Sequence, residues 1–205
     1  MKSLLLAMAL LLPALTAQAQ LLPEVYTVTG VATNDTLNIR ARPSSRSADI
    51  GDIYPNEQVE VIALSENGTW GLVISGEANG WVAMRFLRPT PLPTMPDSAM
   101  PLQLVCTGTE PFWSATFWTN RNLEFKDYAS SSAAPTFQRI EQSTTADGFA
   151  PVSFAFTAGR FTGTLDRAQC SDGMSDRSFG WQLRLIEQTN GGLQLRKGCC
   201  QAALN

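Results

Sequence analysis

The fold of the first half is decided by Leu37-Asn38-Ile39-Arg40-Ala41-Arg42-Pro43, in which apolar and polar side chains alternate. In a strand, Leu37 and Ile39 point to one face, whereas Arg40 and Arg42 point to the other. Pro43 fixes its own φ, so the strand runs into a tight turn. About forty residues later, Gly80-Trp81-Val82 predicts a closing strand. The two stretches together predict a small barrel.

The rest of this half shows the same alternation of apolar and polar residues in short runs. Short runs with period-two alternation predict further strands at residues 26–29, 58–64, 70–74 and 81–83. Asn67-Gly68 and Asn79-Gly80 are typical of hairpin turns. Strands this short, separated by turns at regular intervals, are typical of small all-β barrels.

Residues 26–87 resemble the bacterial SH3-like (SH3b) domain. The resemblance rests on Leu37-Asn38-Ile39-Arg40, on Gln58-Val59-Glu60-Val61, on Trp70 after the hairpin turn, and on Gly80-Trp81-Val82. Gly71 departs from the family, in which a bulkier residue often follows the tryptophan. The resemblance implies a binding module for cell-wall peptidoglycan or a peptide, and we place this domain at residues 25–87.

Aromatic side chains on a small barrel can bind an extended ligand by stacking and apolar contact. The predicted ligand-binding residues are Tyr54, Trp70 and Trp81, with Arg42 beside them. A structural role competes with this one, because a barrel of about sixty residues needs large side chains in its core. Trp81 is the residue for which that alternative is strongest.

A proline-rich segment follows. Four prolines lie between Arg88 and Asp97, and Pro101 comes shortly after. Proline disfavours helix at the residue before it, so residues 88–101 are predicted to form a semi-rigid extended linker. Residues 102–205 then form the second domain. Alternating runs there predict about seven to eight antiparallel strands, closed as a barrel or sandwich.

The first nineteen residues are predicted to be a signal peptide. Lys2 supplies a positive end, an apolar run follows, and Ala17-Gln18-Ala19 fits the small-x-small rule for cleavage after Ala19. No cysteine lies at that point, so a lipid anchor is not expected. The mature chain is predicted to be periplasmic or secreted, in a Gram-negative bacterium, with no transmembrane segment.

Export changes the interpretation of the four cysteines, Cys106, Cys170, Cys199 and Cys200. An even number of cysteines in an oxidising compartment predicts two disulfides. Neighbouring residues on a strand point to opposite faces, so Cys199 and Cys200 are expected to have separate partners. The favoured pairing is Cys170–Cys199 with Cys106–Cys200, and the exchanged pairing stays open.

Composition narrows the classes of function. The chain has 205 residues, a net charge of -3 and no histidine. With this net charge we expect no basic surface for binding nucleic acid or anionic lipid. Without histidine there is no Ser-His-Asp triad and no common zinc site. We therefore expect neither a metal nor a cofactor, and we do not expect an enzyme.

Two unusual strings mark the second half: Gly108-Thr109-Glu110-Pro111-Phe112-Trp113 and Cys170-Ser171-Asp172-Gly173-Met174-Ser175-Asp176-Arg177. They resemble an uncharacterised family of bacterial envelope proteins, which implies location but no activity. The strings suggest a candidate polar cluster. Its members are Glu110, Asp172, Asp176 and Arg177.

Three interpretations of that cluster compete. The aspartates could hold a hard cation, although the loop lacks EF-hand spacing. Glu110 could act as a general acid with an aspartate partner. The plainer alternative is a structural turn in which Glu110 accepts hydrogen bonds from the loop or from Arg177. Phe112, Trp113 and Trp118 are predicted to be core residues.

The predicted function is that of an exported, non-enzymatic envelope protein. Its SH3-like domain would bind wall glycan or a peptide, and its disulfide-bonded domain would contact another envelope protein. One alternative is a carboxylate-based wall hydrolase that uses Glu110 with Asp172 or Asp176. Another is an inhibitor of wall-degrading enzymes.

Overall fold

The computed structural model describes residues 21–129, 134–146 and 152–204. The predicted signal peptide lies outside these residues. The described chain is nearly all strand, with a short 3-10 helix at Met84–Phe86, so the all-β prediction is confirmed. The strands are β1 Glu24–Val28, β2 Leu37–Arg40, β3 Asp49–Ile53, β4 Gln58–Val61, β5 Ala63–Leu64, β6 Trp70–Ser75, β7 Ala78–Ala83, β8 Leu87–Pro89, β9 Leu104–Thr109, β10 Phe112–Phe117, β11 Asn122–Asp127, β12 Thr136–Arg139, β13 Gln142–Thr145, β14 Ser153–Ala158, β15 Phe161–Cys170, β16 Phe179–Thr189 and β17 Gly192–Ala202.

The first half consists of two small sheets around one core. The five-stranded sheet has the order β3-β2-β7-β6-β5, and the three-stranded sheet has the order β4-β1-β8. Leu37 and Ile39 are buried between them, as the alternation predicts. The core also contains Tyr26, Val28, Ile53, Val59, Val61, Val73 and Val82.

The predicted turn at Asn79-Gly80 is wrong. Both residues lie within β7, and the chain reverses at Gly76, which has a φ of 58°. Gly80 is needed for packing, because a Cβ there would come within 2.3 Å of the Ile39 side chain. The glycine therefore marks a close approach of two strands, which a sequence cannot distinguish from a turn.

The second half is one curled, half-barrel sheet of nine strands, in the order β12-β11-β10-β9-β17-β16-β15-β14-β13. Its inner face is lined with aromatic side chains, and Phe117 meets Phe156 edge-on across the curl at 5.2 Å between ring centroids. The strand count exceeds the prediction for two reasons. Strand β9 ends in the Gly-x-Glu-Pro-Phe-Trp string, where alternation predicts no strand. Alternation at residues 137–142 predicts one strand, whereas the structure has two there, β12 and β13.

Two disulfides link the strands of this sheet. Cys106 on β9 is bonded to Cys200, and Cys170 on β15 is bonded to Cys199. This is the pairing favoured from the sequence. Adjacent cysteines on β17 point to opposite faces of the sheet, so each has a different partner: Cys200 bonds to the neighbouring strand β9, and Cys199 bonds to β15, which lies beyond β16.

The proline-rich segment packs closely against the second half. Met95 and Met100 are buried in the same core as Leu104, at 3% and 0% exposure. The chain folds back on itself there, because Thr94 and Pro101 form a bridge. Part of this segment therefore packs on the core of the curled sheet. The division of the chain into domains stays a prediction.

The two halves are also in direct contact. A Cβ on Gly180 of β16 would come within 2.6 Å of Pro23 and 3.2 Å of Ile62. Arg177 forms an ion pair with Glu77 at 2.6 Å. The SH3-like half is therefore docked on the curled sheet, which determines which of its faces stay open.

Candidate functional site

One row of side chains crosses the outer face of the five-stranded sheet. Backbone pairing aligns Asp49 with Arg40, Arg40 with Trp81, and Trp81 with Leu72. Directly paired residues share a face of a sheet, and Trp70 shares it too because it lies two residues from Leu72. Trp70, Leu72 and Trp81 are each half-buried. We call this surface, made of Arg40, Trp70, Leu72 and Trp81, the tryptophan face.

The local sequence explains why these rings lie on the outside. Gly71, Val73, Gly80 and Val82 are buried, so they occupy the inner positions of β6 and β7. A Cβ on Gly71 would come within 2.8 Å of Val61. The small residues bring the two sheets together, and alternation sends the tryptophans outward.

The charge on the tryptophan face is locally compensated. Arg40 Nη1 lies 3.6 Å from Asp49 Oδ2 and donates to the Ser47 carbonyl at 3.2 Å. Asn38 donates to the same carboxylate. The face is therefore aromatic with a balanced polar edge, which suits stacking on an uncharged or zwitterionic ligand.

The second half of the chain covers the far end of this sheet. Ile74 packs against Cys170, Phe179 and Cys199. Asn79 Nδ2 donates to the Ser178 carbonyl at 3.1 Å, and the Ser178 N–H donates back to Asn79 Oδ1 at 2.6 Å. Docking thus removes one end of the sheet from solvent and leaves the tryptophan face as its open part.

The structure separates the four predicted ligand-binding residues. Trp70 and Trp81 share the tryptophan face. Arg42 is exposed in the turn after β2, where its N–H donates to Ser47 Oγ at 2.9 Å. Tyr54 is 63% exposed on the turn between β3 and β4, away from that row. Ligand binding by these residues stays a prediction.

Tyr54 lies beside a groove of about 490 Å³ between the two halves, which we call the interdomain groove. Its walls come from both halves. The SH3-like side contributes Asp52, Glu57 and Glu60, and the curled sheet contributes Gln201, Ala202 and Leu204. Sequence reasoning missed this groove because it exists only when the two halves pack together.

Glu60 is the buried charged group of this contact. It is 7% exposed, and its carboxylate accepts from Trp181 Nε1 at 2.9 Å and from the Ala202 N–H at 3.1 Å. Burial raises the pKa of Glu60 to about 7, although these two hydrogen bonds and the Arg167 guanidinium act to lower it. Alternation in β4 does not predict the burial of Glu60, because it places this side chain on the solvent face.

The two unusual strings of the second half do meet. Thr109 Oγ1 donates to the Asp172 carbonyl at 3.2 Å. Between the strings lies a cleft of about 160 Å³ bounded by Cys170, Cys199 and Lys197. That volume is below the ~300–1,000 Å³ typical of ligand pockets. The cleft suits a small polar group better than a sugar ring.

The predicted polar cluster is divided. Asp172 caps its own loop, accepting from the Met174 and Ser175 N–H groups at 3.0 and 2.9 Å. Burial acts to raise the pKa of Asp172, but these bonds, the Ser175 hydroxyl and Arg177 outweigh it and lower that pKa. Glu110 and Asp176 are exposed. Arg177 is directed to the first half, where it donates to the Gly76 carbonyl at 2.7 Å.

Of the three aromatic residues predicted to lie in the core of the second half, one is buried and two are exposed. Trp113 is buried at 2% exposure and stacks on Phe125 at 5.9 Å. Phe112 and Trp118 are 54% and 46% exposed, so that prediction is wrong for both. Phe112 begins β10 and points outward by alternation, and Trp118 follows its end, where it donates to Glu124 Oε2 at 2.9 Å.

Comparison with known proteins adds one finding. No curated protein matches this chain. In the described part of the chain, no helix has both the length and the apolar character needed to cross a bilayer. Residues 35–88, which carry strands β2 to β7 and the tryptophan face, match the family model of the bacterial SH3 domain.

Proposed function

We propose that this protein is an exported cell-envelope binding protein whose SH3-like half contacts peptidoglycan or a peptide through the tryptophan face. Bacterial SH3 domains commonly bind cell-wall material, which supports an envelope-binding role. The observation that carries the proposal is the alignment of Trp81 with Leu72, with Trp70 beside them, on the open part of the docked sheet.

The chemistry of this face fits a long, weakly charged ligand. Aromatic rings offer rigid apolar area at low entropic cost, and sugar rings or peptide planes can lie flat on them. Arg40 and Asp49 supply donors and acceptors at the edge of the same row. Binding would rest on several modest contacts along an extended chain.

The disulfides agree with this location. Two disulfides and a bacterial SH3 domain indicate an extracytoplasmic protein, because thiols stay reduced in the cytosol. Removal of residues 1–19 on export is part of the proposal.

Co-sedimentation with purified peptidoglycan sacculi tests the proposal. We expect the intact exported chain to pellet with sacculi, and Trp70→Ala and Trp81→Ala each to weaken its affinity by up to about tenfold, since a stacking ring contributes roughly 0.5–1.5 kcal/mol. Trp118→Ala is the matched control, because it removes an exposed tryptophan from the other half. Equal recovery of all variants, or no recovery of the wild-type chain, would reject wall binding through this face.

Binding without turnover is also part of the proposal. Sacculi incubated with the protein should release no soluble fragments. Release that disappears in Glu110→Gln would instead support the hydrolase hypothesis.

A further inference from the structure

The Glu60 carboxylate is buried in the contact between the two halves, and its hydrogen bonds cross from one half to the other. Glu60 belongs to β4 of the SH3-like half, and both donors to its carboxylate, Trp181 Nε1 and the Ala202 N–H, belong to the curled sheet. If the halves separate, the Glu60 carboxyl enters water. Its environment therefore changes more on docking than that of an ordinary surface carboxylate.

The surrounding charges come from several elements. Arg167 of β15 lies over the Trp181 ring, with its guanidinium carbon 4.6 Å from a ring centroid, and attracts Glu60. Arg167 Nη1 also donates to the Leu21 and Pro23 carbonyls, at 3.2 and 2.6 Å. In the described part of the chain, the other ionisable groups near Glu60 are Glu24 with its Tyr26 neighbour on β1, and Asp52 and Glu57 on the same wall of the groove as Glu60.

We propose that Glu60 makes docking of the SH3-like half on the curled sheet dependent on proton uptake, so that the halves hold together more tightly in mild acid than in mild alkali. This coupling is independent of whether the tryptophan face binds peptidoglycan.

The sign follows from the two states of Glu60. In the docked state burial raises its pKa to about 7, whereas the separated state has the ordinary value of 4.5. The docked state thus binds the proton more tightly, and docking strengthens as pH falls from 8 toward 4.5. Between pH 8.0 and pH 5.5 the docking equilibrium should rise by about 25-fold, as linkage between those pKa values requires.

The composition makes this effect measurable. The chain has no histidine, and all four of its cysteines are in disulfides. The side chains that ordinarily titrate between pH 5.5 and 8 are therefore absent. Among side chains, Glu60 is therefore the natural source of a pH-dependent signal at the contact, and Glu60→Gln separates it from the α-amino group of the exported chain.

Hydrogen exchange of the Ala202 amide provides the test, because this N–H donates to Glu60 itself. In the intact exported chain, its protection factor, corrected for intrinsic exchange, should be about 25-fold higher at pH 5.5 than at pH 8.0. Glu60→Gln should remove the pH dependence. Glu57→Gln, an exposed carboxylate nearby in the same groove, should leave it intact.

A second variant decides the matter if Glu60→Gln does not fold. Trp181→Phe removes one donor to the carboxylate, so the midpoint of the pH dependence should move upward. A wild-type protection factor that changes less than twofold over this range would overturn the proposal. An unchanged profile in Glu60→Gln, or an unshifted midpoint in Trp181→Phe, would overturn it too.

Discussion

Removing the Cys170–Cys199 disulfide should weaken the fold by an amount that follows from its position in the chain. The two cysteines are 29 residues apart and join β15 to β17. Closing a loop of that length removes unfolded-state entropy that corresponds to about 3.6 kcal/mol. The loop closed by Cys106–Cys200 encloses this one and already brings its ends closer in the unfolded chain, so the value is an upper estimate for the native chain.

The assay is urea unfolding of the double variant Cys170→Ala with Cys199→Ala, followed by tryptophan fluorescence at neutral pH. With a slope near 2.5 kcal/mol/M, the midpoint should fall by roughly 1.5 M, and the slope should rise somewhat because the unfolded chain becomes less compact. Ser171→Ala, which alters an exposed neighbour, should stay within about 0.5 kcal/mol of the wild type. Mass spectrometry confirms that Cys106–Cys200 stays closed.

A loss of less than about 1 kcal/mol would refute this reasoning, since it would mean that the disulfide does little to restrict the unfolded chain. The outcome also bears on the contact between the halves, because Ile74 packs against this disulfide.

Three further predictions concern single side chains in the second half. Gly198→Ala should lower the free energy of unfolding by at least about 2 kcal/mol, because the new Cβ would lie 2.3 Å from the Thr107 carbonyl oxygen. Gly191→Ala is the control and should cost little, because the nearest atom to its Cβ would be 3.8 Å away. Arg196→Met should cost about 3 kcal/mol in the same assay, because it removes a partner of the buried Glu187. Asp172→Asn should lower the melting temperature more at pH 7 than in acid, because the stabilisation that accompanies the lowered pKa of Asp172 is present above the ordinary value of 3.8 and is lost as pH falls through the folded-state pKa.

Alternation predicted much of the first half from local sequence. Leu37 and Ile39 are buried and Arg40 faces outward, because in a small barrel the strand period alone decides which side chains enter the core. The same reasoning failed for Asn79-Gly80. There the glycine serves the close approach of β7 to Ile39, and that contact depends on a strand forty residues away.

Features that join the two halves could not be predicted. The sequence predicts that Glu60 is an exposed strand residue and that Arg177 belongs to a local polar loop. Both acquire their roles from docking, since Glu60 meets Trp181 and Arg177 meets Glu77 across the contact. Met95 and Met100 likewise lie in a proline-rich segment that resembles a spacer until the curled sheet provides a core for them.

Mapping of soluble peptidoglycan fragments onto the intact chain by NMR tests the central claim most directly. We predict that the indole N–H signals of Trp70 and Trp81 shift as fragments are added and that the signal of Trp118 does not. Shifts confined to residues of the interdomain groove, such as Asp52 and Glu57, or an absence of shifts at saturating fragment, would contradict binding through the tryptophan face.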